Sequence, residues 1–434
     1  MRTLISMALI FSSSAFAKDA QFEKIWEKIN ANSKALKASS EQVEASKLNL
    51  SRSEKHWLPT LYMTGQSYIT NDSGAYMFGL LSQRKIEQAD FNPTTLNEPG
   101  SNHFTKGALG INLPLYEGGM KESIKKASSF QLESKKSEDG KNKVEYYSEI
   151  AKNYFSLVSL NSQKLELAKV SSNLESIISK YQIGNKGNMV GYSGLLGLKS
   201  LRNRLSAITD ENKAKTTAYS KALNELAESN EVFSFSGNEN IQQLLKEYLT
   251  SNDSYSPSDK IKSFQFNALA ASEVVGAEKS RNLPRVGAFA EGNVFNGKRD
   301  TATGYATGLY INWNLFSGND VGASDEAIHN SYAAKYYAEA MSQKEKIEFE
   351  AQNTMEETLN KTLITLEDSQ KLLDEQMIVA NNLFKNGMIS ALQLVEVLNR
   401  RIDLINSKTE VETKLVEAKA KKVTLTNTKL ELVK

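Results

Sequence analysis

The sequence predicts an α+β membrane protein that is built from two internal repeats. Three observations support this prediction: a set of landmarks that occurs twice in the same order, four segments with strand-like alternation, and two proline-free stretches of 66 and 69 residues. The whole chain has 6 prolines among 434 residues, which suits long helices, because proline removes a backbone donor and clashes with the preceding turn.

Residues 1–17 have the features of a secretory signal peptide in the expected order. Arg2 supplies the positive start, an apolar run follows over 4–11, and Ala-Phe-Ala at 15–17 fits a small-x-small cleavage site. We therefore expect the mature protein to begin at Lys18, outside the cytoplasm. No later segment has about 18 or more consecutive apolar residues, so a chain that crosses a membrane would have to do so with strands.

The two predicted repeats span residues 18–229 and 258–434, and a polar connector at 230–257 separates them. The Trp-Leu-Pro sequence at 57–59 recurs as Asn-Leu-Pro at 282–284, and a Tyr-Gln-Ile-Gly turn recurs as Phe-Lys-Asn-Gly. Chance rarely repeats several landmarks in one order. Each repeat is therefore predicted to contain a helix, two strands joined by a loop, and a long helical hairpin.

Alternation of apolar with small or polar residues predicts the four strands. They lie near 60–70 and 104–116 in the first repeat, and near 285–295 and 302–316 in the second. Such alternation is typical of strands in membrane barrels. It is also typical of any half-buried antiparallel strand, so the pattern alone leaves both possibilities open.

The predicted helical hairpins occupy 118–229 and 319–433, and their first helices are unusually long. At 1.5 Å per residue each would extend about 100 Å, whereas globular helices average about 11 residues. Both carry a heptad seam of the coiled-coil kind. The two seams match at a spacing of 203 residues: Ser156, Leu160, Gln163, Leu167, Val170, Leu174, Ile177 and Tyr181 against Leu359, Leu363, Leu366, Gln370, Leu373, Met377, Ala380 and Phe384.

Four strands per chain imply partner chains. Four strands cannot close a barrel, and lipid does not tolerate an open sheet edge. Aromatic residues at the junctions of strands and helices support a membrane location, because Trp and Tyr favour the interface between lipid and water. The residues predicted at this interface are Trp57, Tyr116, Trp313 and Phe316.

Together these features resemble the TolC-like outer-membrane factor family of outer membrane efflux proteins, over nearly all of the mature chain. The resemblance rests on the Leu-Pro before each first strand, on the segments at 113–119 and 314–318, and on the turn glycines. It implies a homotrimeric twelve-stranded β-barrel, four strands per protomer, in the cell outer membrane. A long periplasmic α-helical coiled-coil barrel would continue it, and residues 71–103 would form a long external loop.

The resemblance also implies a function. The trimer would be the passive exit duct of a tripartite efflux pump for small molecules and drugs, opened when a periplasmic adaptor protein and an inner-membrane transporter dock. That transporter, driven by protons or ATP, would supply the energy, so no catalytic site is expected. Two alternatives remain open: the exit duct of a type I protein secretion system, and a periplasmic coiled-coil scaffold without a pore.

The resemblance assigns roles to the ends of the helical hairpins. Members with an acidic entrance ring have carboxylates six and nine residues after the turn glycine, which is Gly387 here. Those positions hold Gln393 and Glu396, so this chain keeps one of the two acids at the predicted pore constriction. A solvated glutamate is the simpler alternative.

The first repeat has a longer, glycine-rich turn. We expect this turn to be loose, because glycine permits positive φ, and we expect Gly184 and Gly187 to contribute with Gly387 to docking. The glycines of this turn are Gly184, Gly187, Gly191, Gly194 and Gly197.

Composition argues against other classes of function. The net charge of +2 gives no electrostatic reason to expect a nucleic-acid partner. The chain has no cysteine for a thiolate metal site, and its 3 histidines lack metal-ligand spacing. We therefore predict no catalytic residues, metal or cofactor.

Overall fold

A computed structural model of the chain describes residues 20–181, 187–228 and 240–426; the predicted signal segment and Gly184 lie outside these ranges. Within them the elements are α1 (Ala20–Asn32), α2 (Lys34–Glu54), β1 (Thr60–Thr70), α3 (Ser73–Ser82), α4 (Pro93–Asn97), β2 (Asn102–Glu117), α5 (Met120–Lys180), α6 (Met189–Leu226), α7 (Ile241–Tyr248), α8 (Asp259–Lys279), β3 (Arg285–Gly297), β4 (Thr301–Asn312), α9 (Ala323–Lys385) and α10 (Ala391–Thr424). Among the helices so described, none is both long and apolar enough to span a membrane.

The four strands form one antiparallel sheet in the order β1-β2-β3-β4. They lie where the alternation predicts them, with one correction. The fourth strand was expected to reach Phe316, but β4 ends at Asn312. The reason is pairing: Asn312 lies opposite Arg285, the first residue of β3, so the residues that follow have no strand beside them.

The described chain divides into two compact units. The helical unit is Met1–Glu41, Ser137–Lys262 and Ala340–Lys434, and the sheet unit is Gln42–Lys136 and Ser263–Glu339. Each unit draws on both predicted repeats. The two compact units therefore do not coincide with the two predicted repeats. The repeat boundaries at 18–229 and 258–434 stay a prediction.

Two apolar clusters stabilise the helical unit. One is rich in aromatic rings, since Phe22 and Trp26 of α1 pack edge-on against Tyr147 of α5. The hydroxyl of Tyr147 donates a hydrogen bond of 2.8 Å to the backbone carbonyl of Tyr248. The second cluster contains the later parts of both predicted seams, whereas Leu359 and Leu363 of the second seam belong to the first cluster. Its fully buried members come from α5, α6, α9 and α10: Leu167, Val170, Leu174, Leu198, Leu201, Leu205, Ala380, Ala391, Leu394, Leu398, Ile402 and Ile405.

A buried arginine links three helices of the same unit. The guanidinium of Arg401, on α10, donates a hydrogen bond of 2.9 Å to the carboxylate of Glu166 on α5. It also lies 2.7 Å from the carboxylate of Asp374 on α9, and the Arg401 side chain is 9% exposed. Burial acts to raise the pKa of Glu166, but hydrogen bonds and charges from Lys169 and Arg401 outweigh it. The pKa of Glu166 therefore lies below its ordinary value of 4.5.

The substitution Arg401→Leu should destabilise the helical unit by about 1–3 kcal/mol at pH 7, because Asp374 and Glu166 would both lose the ion pair with Arg401, and Glu166 would keep only Lys169. The matched control is Arg400→Leu, because the neighbouring Arg400 is 60% exposed and pairs only with Glu396 among the described residues. Thermal unfolding followed by circular dichroism would measure both effects. Equal losses in the two variants would contradict this assignment.

The stability that Arg401→Leu loses should also depend on pH. Because folding lowers the pKa of Glu166, its ion pair stabilises the fold at pH values above 4.5. That contribution disappears as the pH falls through the lower folded-state pKa. The difference between native protein and Arg401→Leu should therefore shrink on acidification, and a difference that stays constant from pH 7 to about pH 3 would refute the electrostatic cause.

Candidate functional site

Alternate side chains divide the sheet into two faces with opposite chemistry. One face, called the apolar face below, carries large apolar side chains that are exposed in the protomer: Leu61, Met63, Ile69, Leu109, Ile111, Val294, Tyr305, Leu309 and Ile311. Met63 is 83% exposed and Tyr305 is 87% exposed. A contiguous apolar surface of this kind marks contact with a membrane or with a partner.

The other face, called the polar face below, carries polar and aromatic side chains. Register places these residues together, since directly paired residues point to the same side of a sheet. They are Tyr62, Thr64, Gln66, Tyr68, Lys106, Asn112, Phe289, Glu291, Asn293, Phe295 and Tyr310. A sheet with an exposed apolar face and a polar opposite face has the side-chain pattern of the strands in a membrane β-barrel.

Both outer strands of the sheet have a free edge. Within the described residues β1 pairs only with β2, and β4 pairs only with β3. Each free edge is a row of backbone N–H and C=O groups that can pair with a strand of another chain. In lipid these groups would have to be paired, because no water is available to satisfy them.

The four aromatic residues of the predicted membrane interface lie at one end of the sheet. Trp57 precedes β1, Tyr116 is near the end of β2, and Trp313 and Phe316 follow β4. All four are exposed, and the indole of Trp313 donates 3.1 Å to the carbonyl of Asn282. This placement brings them together as expected, while their position in a membrane stays a prediction.

The opposite end of the sheet carries a folded cap, where sequence reasoning predicted only a long loop at 71–103. The buried side chains of Tyr76 and Leu80, on α3, pack against Phe104 of β2. The turn between β3 and β4 is held by this cap: Arg299 pairs with buried Asp90. The hydrogen bond from Arg299, and a backbone one at Glu87, lower the pKa of Asp90.

The end of the second helical hairpin is a tight glycine turn. Gly387 adopts a positive φ of +70°, and the backbone N–H of Met388 donates a hydrogen bond of 2.8 Å to the carbonyl of Leu383. Ser390 caps α10, and the amide of Gln393 completes a capping box with it. Gln393 is thus occupied in holding the helix start, a role that the expected pore constriction did not include.

Glu396 is exposed on the next turn of α10, where its carboxylate accepts a 3.1 Å hydrogen bond from Arg400. The negative charge expected at the entrance is therefore offset by a cation within the same protomer. Position at a pore constriction requires other copies of the chain, so that role stays a prediction.

The expectation of a glycine-rich loose turn is wrong for Gly191, Gly194 and Gly197, which lie in α6, while residues 182–186 lie outside the described ranges. Gly187 lies in an exposed turn, but α6 already begins at Met189, with Asn188 as its cap. Gly194 and Gly197 are helical, and they permit close packing on α10. A Cβ at Gly194 would lie 2.7 Å from that of Ala391. The glycines are needed there for contact rather than for positive φ, which sequence alone did not distinguish.

Sequence reasoning also missed two interactions: the Arg401 ion pairs, and a hydrogen bond between Tyr62 and Glu291 on the polar face. The only available signal for the second was an acidic residue within an alternating strand. As for metals, the part of the chain that the structure describes contains no group of three or more His, Asp or Glu side chains suited to one.

Comparison with known proteins identifies the fold. No protein-family model matches the sequence, and no curated protein sequence matches it. Solved structures do match: CusC, from a study of transmembrane channel formation, has a TM-score of 0.76 at 12% identity and covers 99% of this chain and 98% of its own. The outer membrane protein VceC from Vibrio cholerae has a TM-score of 0.73 at 13% identity, covering 94% and 96%.

The open state of the MtrE outer membrane channel from Neisseria gonorrhoeae is similar as well, with a TM-score of 0.72 at 13% identity and coverage of 93% and 88%. At such low identity the likeness concerns the fold. The α+β fold predicted for the protomer, with a four-stranded sheet and long helical hairpins, is therefore confirmed. This chain has the fold of these outer-membrane channel proteins.

Proposed function

We propose that this chain is one protomer of a homotrimeric outer-membrane exit duct that exports small molecules. The observation that carries the proposal is the sheet: one face carries exposed apolar side chains, the other face is polar, and both edges are free within the described residues. If β4 of one copy pairs with β1 of the next, every edge is satisfied and a closed barrel results. Three copies would give twelve strands, enough to leave an open lumen.

The fold supports the same conclusion. Proteins described as outer membrane channels, including MtrE and CmeC of Campylobacter jejuni, share it over nearly the whole chain. In the proposed trimer the apolar face contacts lipid, the polar face lines the lumen, and the helical hairpins extend into the periplasm. Trp57, Tyr116, Trp313 and Phe316 then mark the periplasmic interface of the membrane.

The proposed partners are a periplasmic adaptor protein and an inner-membrane transporter, which supplies the energy. Support comes from the starts of α6 and α10, where large apolar side chains are exposed: Met189, Val190, Met388 and Leu392. Exposed apolar groups of this kind indicate a contact surface. The turns at Gly187 and Gly387 lie beside these residues, so we propose both as parts of the docking region.

Adjacent residues of β1 provide a test of the barrel. Met63 lies on the apolar face and Thr64 on the polar face. A lysine on the lipid side of a barrel costs about 2–4 kcal/mol near the bilayer midplane, whereas a lumen position tolerates charge. Met63→Lys should therefore abolish heat-modifiable trimers in outer-membrane fractions, and Thr64→Lys should leave them intact.

The native protein in this experiment should also conduct ions in a planar bilayer. A soluble monomer, with both lysine variants folded equally well, would refute the duct. It would favour instead a coiled-coil scaffold without a pore.

Glu396 provides a test of the entrance. If three copies of Glu396 line the constriction, Glu396→Gln should weaken the block of conductance by hexaamminecobalt(III), because a negative ring attracts multivalent cations. Arg400→Gln should strengthen the block, since it frees the carboxylate from its ion pair. Planar-bilayer titration measures both, and identical block in native protein and both variants would remove Glu396 from the pore.

A further inference from the structure

A hydrogen bond crosses three strands on the polar face. The hydroxyl of Tyr62 on β1 donates 2.7 Å to a carboxylate oxygen of Glu291 on β3. Between them lies Gly110 of β2, which pairs with Tyr62 on one side and with Glu291 on the other. The tyrosine ring therefore extends across β2 along the surface of the sheet, and Glu291 lies at its far end.

The glycine is what lets the ring take this position. A Cβ at Gly110 would lie 2.8 Å from Cε1 of Tyr62, closer than side-chain carbons pack. Phe289, on β3 beside Glu291, is placed in the same way over Gly308 of β4, at 3.2 Å from the Cβ position. Glu291 thus has the hydroxyl end of the Tyr62 ring at its carboxylate and the side chain of Phe289 two residues away along β3, and both rings rest on glycines of neighbouring strands.

The hydroxyl of Tyr62 and the side chain of Asn293 both form hydrogen bonds with the Glu291 carboxylate. In the described part of the chain no lysine or arginine lies within ion-pairing distance of its carboxylate. The amide oxygens of Asn112 and Asn293, on the same face, also have no hydrogen-bond partner among the described residues. Lys106 lies further along the face, with its ammonium 5.5 Å from the centre of the Phe295 ring. The carboxylate of Glu291 therefore has no directly paired cation, and the charge of Lys106 acts on it from further away.

A carboxylate with two aromatic residues beside it on one face of the sheet matches the chemistry of one ligand class. Organic cations with apolar substituents gain from the charge, from cation–π attraction and from contact with the rings. Inorganic cations gain only the first of these, and anions are repelled. We propose that Tyr62, Phe289 and Glu291 form a binding site for lipophilic organic cations inside the proposed duct. The lumenal position of the site rests on the proposed function, whereas the site itself is complete within one protomer.

The test uses the purified full-length protein and tetraphenylphosphonium as the probe. Isothermal titration in detergent measures binding whether or not the protein conducts. Glu291→Gln should weaken binding about tenfold, and Phe289→Leu about threefold, as expected for loss of a charge contact and of one cation–π contact. Gly110→Ala should weaken binding too, because the added methyl displaces Tyr62 from Glu291.

Two controls separate the site from general electrostatics. Lys106→Gln removes a positive charge from the same face, so it should strengthen binding slightly. Tetramethylammonium, which has little apolar surface, should bind weakly and respond to Glu291→Gln but hardly to Phe289→Leu. Heat-modifiable migration of each variant verifies that it folds.

In planar bilayers the same variants should raise the half-blocking concentration of tetraphenylphosphonium by the same factors. Native affinity in both Glu291→Gln and Phe289→Leu would overturn the site, even in a protein that conducts normally. Binding that follows the expected order in a protein without conductance would keep the site and refute the duct. The two proposals therefore fail separately.

Discussion

The free edges of the four-stranded sheet constrain everything else in this protein. Backbone groups in lipid must be paired, so β1 and β4 cannot remain as the protomer leaves them if the sheet enters a membrane. An exposed apolar face would be a liability in water, and an unpaired edge would be a liability in lipid. Association of copies through those edges would pair the backbone groups, and the apolar face could then contact lipid.

The helical unit solves a different problem, because helices of 61 and 63 residues cannot be held by end caps alone. The seam of α5 buries Leu167 and Leu174 in the cluster shared with α6 and α10, and the seam of α9 buries Leu359 and Leu363 in the aromatic-rich cluster. Apolar seams specify contact but not register, since leucines slide past one another at small cost. Arg401 favours the observed register, because its guanidinium pairs there with carboxylates on two other helices.

Sequence predicted the features that depend on local periodicity. The strands were found because side chains alternate with period two, and the seams because apolar residues recur every three or four positions. Features that depend on a neighbouring element were missed. The end of β4 is set by the first residue of β3, and the helical glycines of α6 are set by contact with α10. No property of residues 313–316 or of Gly194 alone reveals these partners.

The candidate site shows the same division. The sequence predicted a turn at Gly387 and an acidic residue, Glu396, on the helix after it. It did not predict the ion pair between Glu396 and Arg400, which offsets the negative charge of Glu396. An exposed glutamate paired four residues along its own helix projects little net charge. Glu291 has no cation within ion-pairing distance in the described chain, and its carboxylate accepts a hydrogen bond from Tyr62 instead.

Glycine determines how much room the rings on the polar face require. An aromatic side chain standing upright on a sheet projects into the space in front of it, whereas one lying over a glycine occupies volume that a Cβ would otherwise fill. Tyr310 lies over Gly287 in the same manner as Tyr62 over Gly110. In the proposed barrel this arrangement would give the lumen an aromatic lining while keeping it wide, a combination that upright rings would prevent. Permeability and affinity for apolar solutes would then arise from the same glycines.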